Sequence, residues 1–306
     1  MMKKILITGA AGFIGSSLAN HINDPKKLML IDDMSQGKIK NLNKNLRHIL
    51  IKKPVENVPI IDFKKINFII HLAAQSVVKY SIDNFYLSSK KNLISFLYIF
   101  QIAKKYNLPV IFASSSAVYG SLTKGDDTKD KISILSPYAQ DKYTTEQYAK
   151  LMSEIYNIKS VGLRFFNVYG PNQKETNPYS GVIPIFANRA KKNSLIKING
   201  GYQTRDFIFV DDVIKIIIKL IKKVNKYNNF FDIFNVCTGQ SHSINKLYSM
   251  IKRKLKSNSK KKYYKMLKND PVKSSGSNLK LVKFLNIEKN FFTNFENGLS
   301  KFLKKN

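Results

Sequence analysis

Short apolar runs alternate with longer stretches of helical periodicity along the chain. Residues 3–8 run from two lysines into β-branched and aliphatic residues, too few for a helix, and are stopped by Gly9. Such a run reads as a strand buried on both faces of a parallel sheet. Runs at 27–31, 68–72, 109–114, 159–164 and 232–236 read the same way. Between them, apolar residues recur at helical spacing from Phe13 to Ile22 and over 84–105, 138–156 and 211–223. This alternation predicts an α/β chain with a doubly wound parallel sheet.

The first strand runs into Thr8-Gly9-Ala10-Ala11-Gly12-Phe13-Ile14-Gly15, and a helix follows. Strand, glycine turn and helix together form the context of a dinucleotide fingerprint. Gly9 allows the tight turn, Gly12 admits a pyrophosphate, and Gly15 lets helix pack on strand. The helix N-terminus offers free N–H groups to the phosphates. The second strand ends in Asp32-Asp33, about 20 residues on, where an acidic residue binds the adenosine ribose. Asp32 repels a 2′-phosphate and no arginine stands beside it, so the pattern predicts NAD rather than NADP. Lys38 and Lys40 are the nearby cations.

Ser136-Pro137 is a helix start, with serine at the N-cap and proline at the first helical position. Tyr138 and Lys142 then share one face at i and i+4. An ammonium beside a phenol is expected to lower the phenol's pKa and to make Tyr138 a general base. A surface Tyr and Lys on an amphipathic helix have the same spacing, so the pair gains its meaning from the glycine turn. Upstream, a strand ends in Ser114-Ser115-Ser116, at the end where open α/β sheets bind ligands.

Composition alters this picture in two places. The net charge of +32 on 306 residues suggests a nucleic-acid- or membrane-surface-binding module as a second class. The densest run is Lys252 to Lys268, with Tyr263 and Tyr264 interleaved. Yet the lysines are spread over the whole chain, and arginine, the usual base reader, occurs five times. The expected partner is therefore a small anionic substrate, with no nucleic acid and no membrane insertion. Scarcity also makes Arg205 conspicuous, because a planar fork suits bidentate phosphate binding. An arginine paired with a neighbouring carboxylate is the alternative. Cys237 is the single cysteine and the four histidines lack ligand spacing, so neither disulfide nor metal is expected. No apolar run is long enough to span a membrane. The first residues are too briefly apolar for a signal peptide, and a cytoplasmic enzyme is expected.

The motifs in order resemble an extended short-chain dehydrogenase/reductase of the nucleotide-sugar epimerase and dehydratase group. They are TGAAGFIGS (8–16), IDDMSQG (31–37), HLAAQ (71–75), SSSAVYG (114–120), SPYAQDK (136–142), LRFFNVYGPNQ (163–173), PYSGVIPIF (178–186), TRDFIFVDDV (204–213) and FNVCTGQSHSIN (234–245). The resemblance implies a Rossmann domain over 1–168 with 206–238, and a smaller nucleotide-sugar-binding lobe over 169–205 with 239–306. It implies Ser115, Tyr138 and Lys142 as catalytic residues. It implies an NAD site of Gly9, Gly12, Phe13, Ile14, Gly15, Asp32, Asp33, Leu72, Ala73, Ala74 and Asn92, with Tyr138 and Lys142. Substrate contacts fall on Ser115, Ser116, Asn167, Val182, Arg205 and Ser274. The implied substrate is a UDP-sugar and the implied assembly a homodimer.

Within that group, dehydratases resemble Thr-Asp-Glu after the catalytic hydroxyl, and decarboxylases also keep a glutamate. Here Ser116-Ala117 follows Ser115. Without a carboxylate there is no acid to protonate a leaving hydroxyl. The chain thus resembles the 4-epimerases, with dehydratase, decarboxylase or reductase chemistry as the alternative. A gate residue four positions after an aspartate falls on Ser274, through Lys268-Asn269-Asp270, and a small residue there leaves room for an N-acetyl group. Two positions depart from the family. Its arginine falls on Leu267, with Lys265 or Lys268 supplying a point charge, and its adenine-contacting pair is replaced near Pro54-Val55.

Overall fold

The computed structural model describes residues 4–173, 181–266, 270–288 and 290–305. The chain begins β1 (Lys4–Thr8), α1 (Phe13–Ile22), β2 (Leu28–Ile31), β3 (Leu50–Ile51), β4 (Ile66–His71), α2 (Val78–Asp83), α3 (Phe85–Tyr106) and β5 (Val110–Ser115). It continues α4 (Pro137–Tyr156), β6 (Ser160–Phe165), β7 (Asn167–Tyr169), α5 (Val182–Lys191), β8 (Ile196–Asn199), β9 (Thr204–Phe209), α6 (Val210–Val224) and β10 (Phe231–Val236). It ends β11 (Ser241–Ser243), α7 (Ile244–Lys254), β12 (Lys261–Tyr264), β13 (Lys273–Ser274), α8 (Leu279–Leu285) and α9 (Phe295–Lys305).

Seven strands form one sheet in the order β10-β6-β5-β4-β1-β2-β3, with β1 parallel to β2 and β4 and β4 parallel to β5. The chain starts at β1, winds outward to β3, then crosses back to β4 on the other side of β1. The switch point therefore lies between the carboxyl ends of β1 and β4, where doubly wound sheets bind ligands. β1 and β2 are aliphatic on both faces, as a sheet covered on both sides requires. One face packs Leu6, Ile69, Val110 and Phe112 against Phe96, Ile99 and Ala103 of α3 and Ala149 of α4. Val55, near which the adenine pair is replaced, is part of this core.

Contacts divide the chain into two compact units. The first holds residues 1–115, 136–164 and 214–234, and the second holds 116–135, 165–213 and 235–306. Residues 116–135, 165–168, 206–213 and 235–238 thus fall in the second unit, where the sequence assigned them to the first. Hydrogen bonds give the reason for 116–135. Tyr119 Oη donates to Asn235 Oδ1 at 2.8 Å, and Gly125 exchanges backbone bonds of 2.8 Å with Ser275 and Ser277.

The second unit is built on β9, flanked by antiparallel β11 and by parallel β13 and β7. β12 and β8 form a separate two-stranded parallel sheet. Its core gathers Tyr169, Phe207, Phe209, Leu247 and Phe295, with the Phe207 and Phe295 rings stacked at 5.1 Å. Asp206 is fully buried beside this core. Its Oδ1 accepts from Thr238 N (2.9 Å) and Thr238 Oγ1 (2.8 Å), and its Oδ2 accepts from Gly239 N (2.8 Å). Burial nevertheless pushes this carboxyl up to about 6, against those bonds. Among the described residues, no helix is long and apolar enough to cross a membrane.

Candidate active site

The glycine turn lies at the switch point. Gly9 has φ +66°, and a Cβ there would lie 2.8 Å from Ala73 N and 2.9 Å from Leu72 O. Only glycine takes that backbone freely, and only glycine lets β1 approach the Leu72–Ala73 peptide so closely. Thr8 ties the same place together: its carbonyl accepts from Leu72 N at 3.2 Å, and its hydroxyl lies 2.8 Å from His71 Nδ1. Burial drops His71 to about 3, so the ring is neutral. Gly12 is the N-cap of α1 and has no side chain to cap it. The N–H groups of Phe13 and Ile14 in the first turn have no carbonyl partner within the helix. A Cβ on Gly15 would fall 2.1 Å from Gly9 O, so this helix can pack only on a glycine. Ala74 continues the loop after β4.

Asp32 ends β2 and is buried, 6% exposed. Ala11 N donates to its Oδ2 and Met34 N to its Oδ1, both at 2.9 Å. Each oxygen keeps a lone pair for a hydroxyl donor. Burial raises this carboxyl above its ordinary value, opposed by those backbone donors. Asp33 turns outward. Burial pushes it up, but the Ser35 hydrogen bonds and Lys91 at 3.4 Å outweigh that and hold it low. Lys38 and Lys40 are exposed.

The second cluster sits where α4 meets β5. Ser136 Oγ caps α4 through Ala139 N at 3.2 Å, with Pro137 at the first position, as its sequence predicts. Tyr138 and Lys142 share the buried face, with Lys142 Nζ 5.9 Å from the Tyr138 ring centroid and 2.8 Å from Ala113 O. Ser115 hydrogen-bonds the Tyr138 hydroxyl. The Tyr138 phenol shifts opposite to the direction expected from the lysine beside it. Burial raises the Tyr138 phenol above its ordinary value, and the Ser115 bond opposes this only in part. Desolvation, with the Asp141 carboxylate adding to it, decides the direction, and burial also lowers Lys142 to about 8. Asn92 joins the two clusters. Its Nδ2 donates to Asp141 Oδ2 at 2.9 Å, while its Oδ1 accepts from Gln75 N at 2.8 Å. The loop after β4 is thereby pinned to the residue beside Lys142.

The second unit holds the remaining residues. Ser116 opens the 3-10 turn Ser116–Tyr119. Asn167 Nδ2 donates to Asp206 O at 3.0 Å, and Ser274 pairs in register with Arg205. Asn167, Arg205 and Ser274 are thus gathered around the start of β9. Arg205 Nη1 donates to Thr204 O at 2.7 Å, and Nη2 is paired with Asp270. The carboxylate partner is therefore not adjacent Asp206 but a residue 65 positions away. Val182 opens α5 and packs on the aromatic core. Leu267, Lys268 and Asn269 lie outside the described residues, while Lys265 is exposed.

Sequence reasoning missed four of these links: Thr8–His71, Asn92–Asp141, the Asp206 cradle, and a buried Glu146–Arg164 pair. Each joins residues from separate motifs, so no local spacing announces it. Thr8, His71, Asp141, Arg164, Asp206 and Thr238 all stand inside the motif segments, but a motif does not say which distant residue its members meet.

A doubly wound sheet with a glycine turn at its switch point defines a dinucleotide-binding fold. Residues 5–237 match the model of the NAD dependent epimerase/dehydratase family. A protein named putative UDP-glucose 4-epimerase from Methanocaldococcus jannaschii is 34% identical over 259 residues, covering 82% of each chain. The UDP-glucose 4-epimerase of Thermotoga maritima, solved with UDP-glucose, superposes with TM-score 0.89 at 28% identity, covering 99% of this chain and 98% of that one. The UDP-N-acetylglucosamine 4-epimerase of Methanobrevibacter ruminantium, solved with UDP-N-acetylmuramic acid, has TM-score 0.88 at 32% identity, covering 99% and 97%. The chain belongs to the NAD dependent epimerase/dehydratase family, and NAD is its cofactor.

The residues present fit that cofactor. The Gly9–Gly15 cradle has no room for side chains, the α1 N-terminus is uncapped, and the Asp32 carboxylate keeps acceptor capacity. Gly15→Ala is expected to weaken NAD binding by about tenfold or more, some 1.4 kcal/mol, because the helix must shift from the turn. Calorimetric titration checks this, and the same titration of the unaltered protein should give NADP an affinity at least ~10-fold weaker than NAD, since a carboxylate at Asp32 would repel a 2′-phosphate. Equal affinity for the two cofactors would remove the role given to Asp32.

Proposed function

We propose that the protein is a 4-epimerase of a UDP-hexose or UDP-N-acetylhexosamine, acting in the cytoplasm. The carrying observation is the Ser115–Tyr138–Lys142 cluster beside a strand end that continues as Ser116-Ala117, without a carboxylate. The acidic residues of the catalytic helix face are engaged elsewhere: Asp141 with Asn92, Glu146 with Arg164. Neither is available as an acid for expelling water, which favours epimerisation over dehydration.

NAD, when bound, supplies a hydride acceptor that returns the hydride. Tyr138 takes the proton of the sugar 4-hydroxyl and later gives it back. Ser115 orients that hydroxyl and, by donating to Tyr138, favours the phenolate. Lys142 adds positive charge on the same side and holds the cofactor ribose. Asn92 keeps the loop after β4 against α4. Asn167 and Arg205 bind the diphosphate, with Asp270 holding Arg205 by one arm of its fork. Ser116 and Val182 line the sugar and nucleotide, and small Ser274 leaves space for an acetamido group. UDP is the nucleotide suggested by the relatives' names.

A homodimer belongs to the same reading. Ile94 and Leu97 of α3 and Tyr148, Leu151 and Ile155 of α4 are exposed at helical spacing, and these two helices pack side by side. An apolar face on an otherwise lysine-rich surface suits a second copy of itself.

Tyr138→Phe should lower turnover at least ~100-fold while leaving NAD binding intact. Lys142→Ala should lose activity and bind NAD more weakly. Ser115→Ala should be slowed about tenfold, the worth of roughly one hydrogen bond. Near-wild-type turnover in Tyr138→Phe means the proton goes elsewhere.

Incubation with a panel of nucleotide sugars, followed by NMR, should reveal the C4 epimers of both plain and N-acetylated UDP-hexoses. Ser274→Tyr should remove the N-acetyl activity selectively. A stable 4-keto-6-deoxy product, or released carbon dioxide, would replace epimerisation with the alternative chemistry. Equal loss of both activities would misplace the gate.

Light scattering after size exclusion should give twice the chain mass, and Leu97→Glu with Leu151→Glu should halve it. A monomeric unaltered protein ends the dimer reading.

A further inference from the structure

Glu146 lies four residues beyond Lys142, so Tyr138, Lys142 and Glu146 form one stripe down α4. Each of the three meets a different one of the last residues of β5. Ser115 hydrogen-bonds Tyr138, the Ala113 carbonyl accepts from Lys142 at 2.8 Å, and Ser114 Oγ donates to the Glu146 carboxylate. Arg164 of β6 closes the third rung. Its Nε is 2.8 Å from Glu146 Oε1 and its Nη2 is 2.6 Å from Oε2, a bidentate fork. Glu146 is 2% exposed and Arg164 7%. A buried ion pair stabilises little by itself and is kept where it fixes an arrangement. The first two rungs belong to the proposed reaction, and the third has no role in it.

We propose that Glu146, clamped by Arg164, is a positioning residue for the Tyr138–Lys142 pair, locking the catalytic stripe of α4 onto β5 and giving buried Lys142 a counter-charge. The proposal rests on the reading of Tyr138 and Lys142 as the reacting pair. The groups facing Lys142 are few. Asp141 and Glu146 lie beside it on α4 and both favour its ammonium, Tyr138 lies one turn back, and His71 of β4 is neutral. Asp141 is hydrogen-bonded by Asn92, whereas Glu146 is held by two strands at once. Burial brings Lys142 to about 8 even with these carboxylates present. Asp141 is the larger of the two carboxylate supports and Glu146 the second, so loss of Glu146 removes the one of them that is clamped to β5 and β6.

The test is the titration of Lys142 in protein labelled with 15N-lysine, its resonance assigned by its loss in Lys142→Met. The unaltered protein should titrate near 8. Glu146→Gln should titrate roughly one pH unit lower, a tenfold fall in the ammonium-to-amine ratio above the transition. The alkaline limb of kcat should move down with it while KM for the sugar nucleotide stays. Glu146→Gln combined with Arg164→Met removes both charges at similar volume, guards against an unpaired buried arginine, and should move the midpoint the same way by less. A pair serving packing alone would lower the melting temperature and leave the midpoint in place, which overturns the proposal. So would failure of both variants to fold. The NMR midpoint is read without turnover, so it stands apart from the Tyr138→Phe result, which tests the reaction itself.

Discussion

A lysine ammonium can be kept dry only where the backbone and fixed carboxylates replace its water. Lys142 is 5% exposed, and its Nζ is held by the carbonyl of Ala113. That bond joins α4 to the carboxyl end of β5 and sets the register of everything above and below it. Tyr138 is carried to Ser115 one turn away, and Glu146 to Ser114 and Arg164 on the other side. The arrangement works because the helix repeat places residues i, i+4 and i+8 on one face. The same burial that fixes the geometry also opposes both charges the proposed reaction uses, the phenolate and the ammonium. The surrounding polar groups act against that opposition.

The cofactor turn solves a different problem, that of distance. β1 and β4 diverge in their connections at the switch point, and a ligand can enter there only if the backbones stay close and bare. Gly9 and Gly15 meet that need sterically, since an added Cβ at either would collide with main chain. Thr8, His71 and Asn92 then tie the end of β4 to β1 and to α4. Polar groups that cannot hydrate are paired with one another there.

The two units differ in how they are built. The first is a sheet of aliphatic strands under long helices, with its order set by hydrophobic burial. The second is short strands around β9 with an aromatic core, and its geometry depends on polar anchors. Asp206 holds the Thr238–Gly239 turn, Asn235 is bonded by Tyr119, and Arg205 is bound to Asp270. Such anchors link residues far apart in the chain. A change in one loop can therefore be felt at Arg205 or Ser274 without touching either.

The sequence by itself determined the strands and long helices of the first unit, because period-3.6 and all-apolar runs report burial directly. Helix 138–156 is observed as Pro137–Tyr156, and strand 109–114 as Val110–Ser115. It also located the glycine turn, Asp32 and the Tyr138–Lys142 pair, since each depends on short-range spacing. Tertiary structure decided what spacing cannot encode. The short strands of the second unit carry too few residues for a period to register, as with the three of Asn167–Tyr169. The allegiance of residues 116–135, the partner of Arg205 and the Glu146–Arg164 clamp all depend on contacts between distant segments. So does the direction of the Tyr138 shift. Proximity of a cation can be read from a motif, but desolvation is a property of everything packed around the group, and here desolvation is the larger effect.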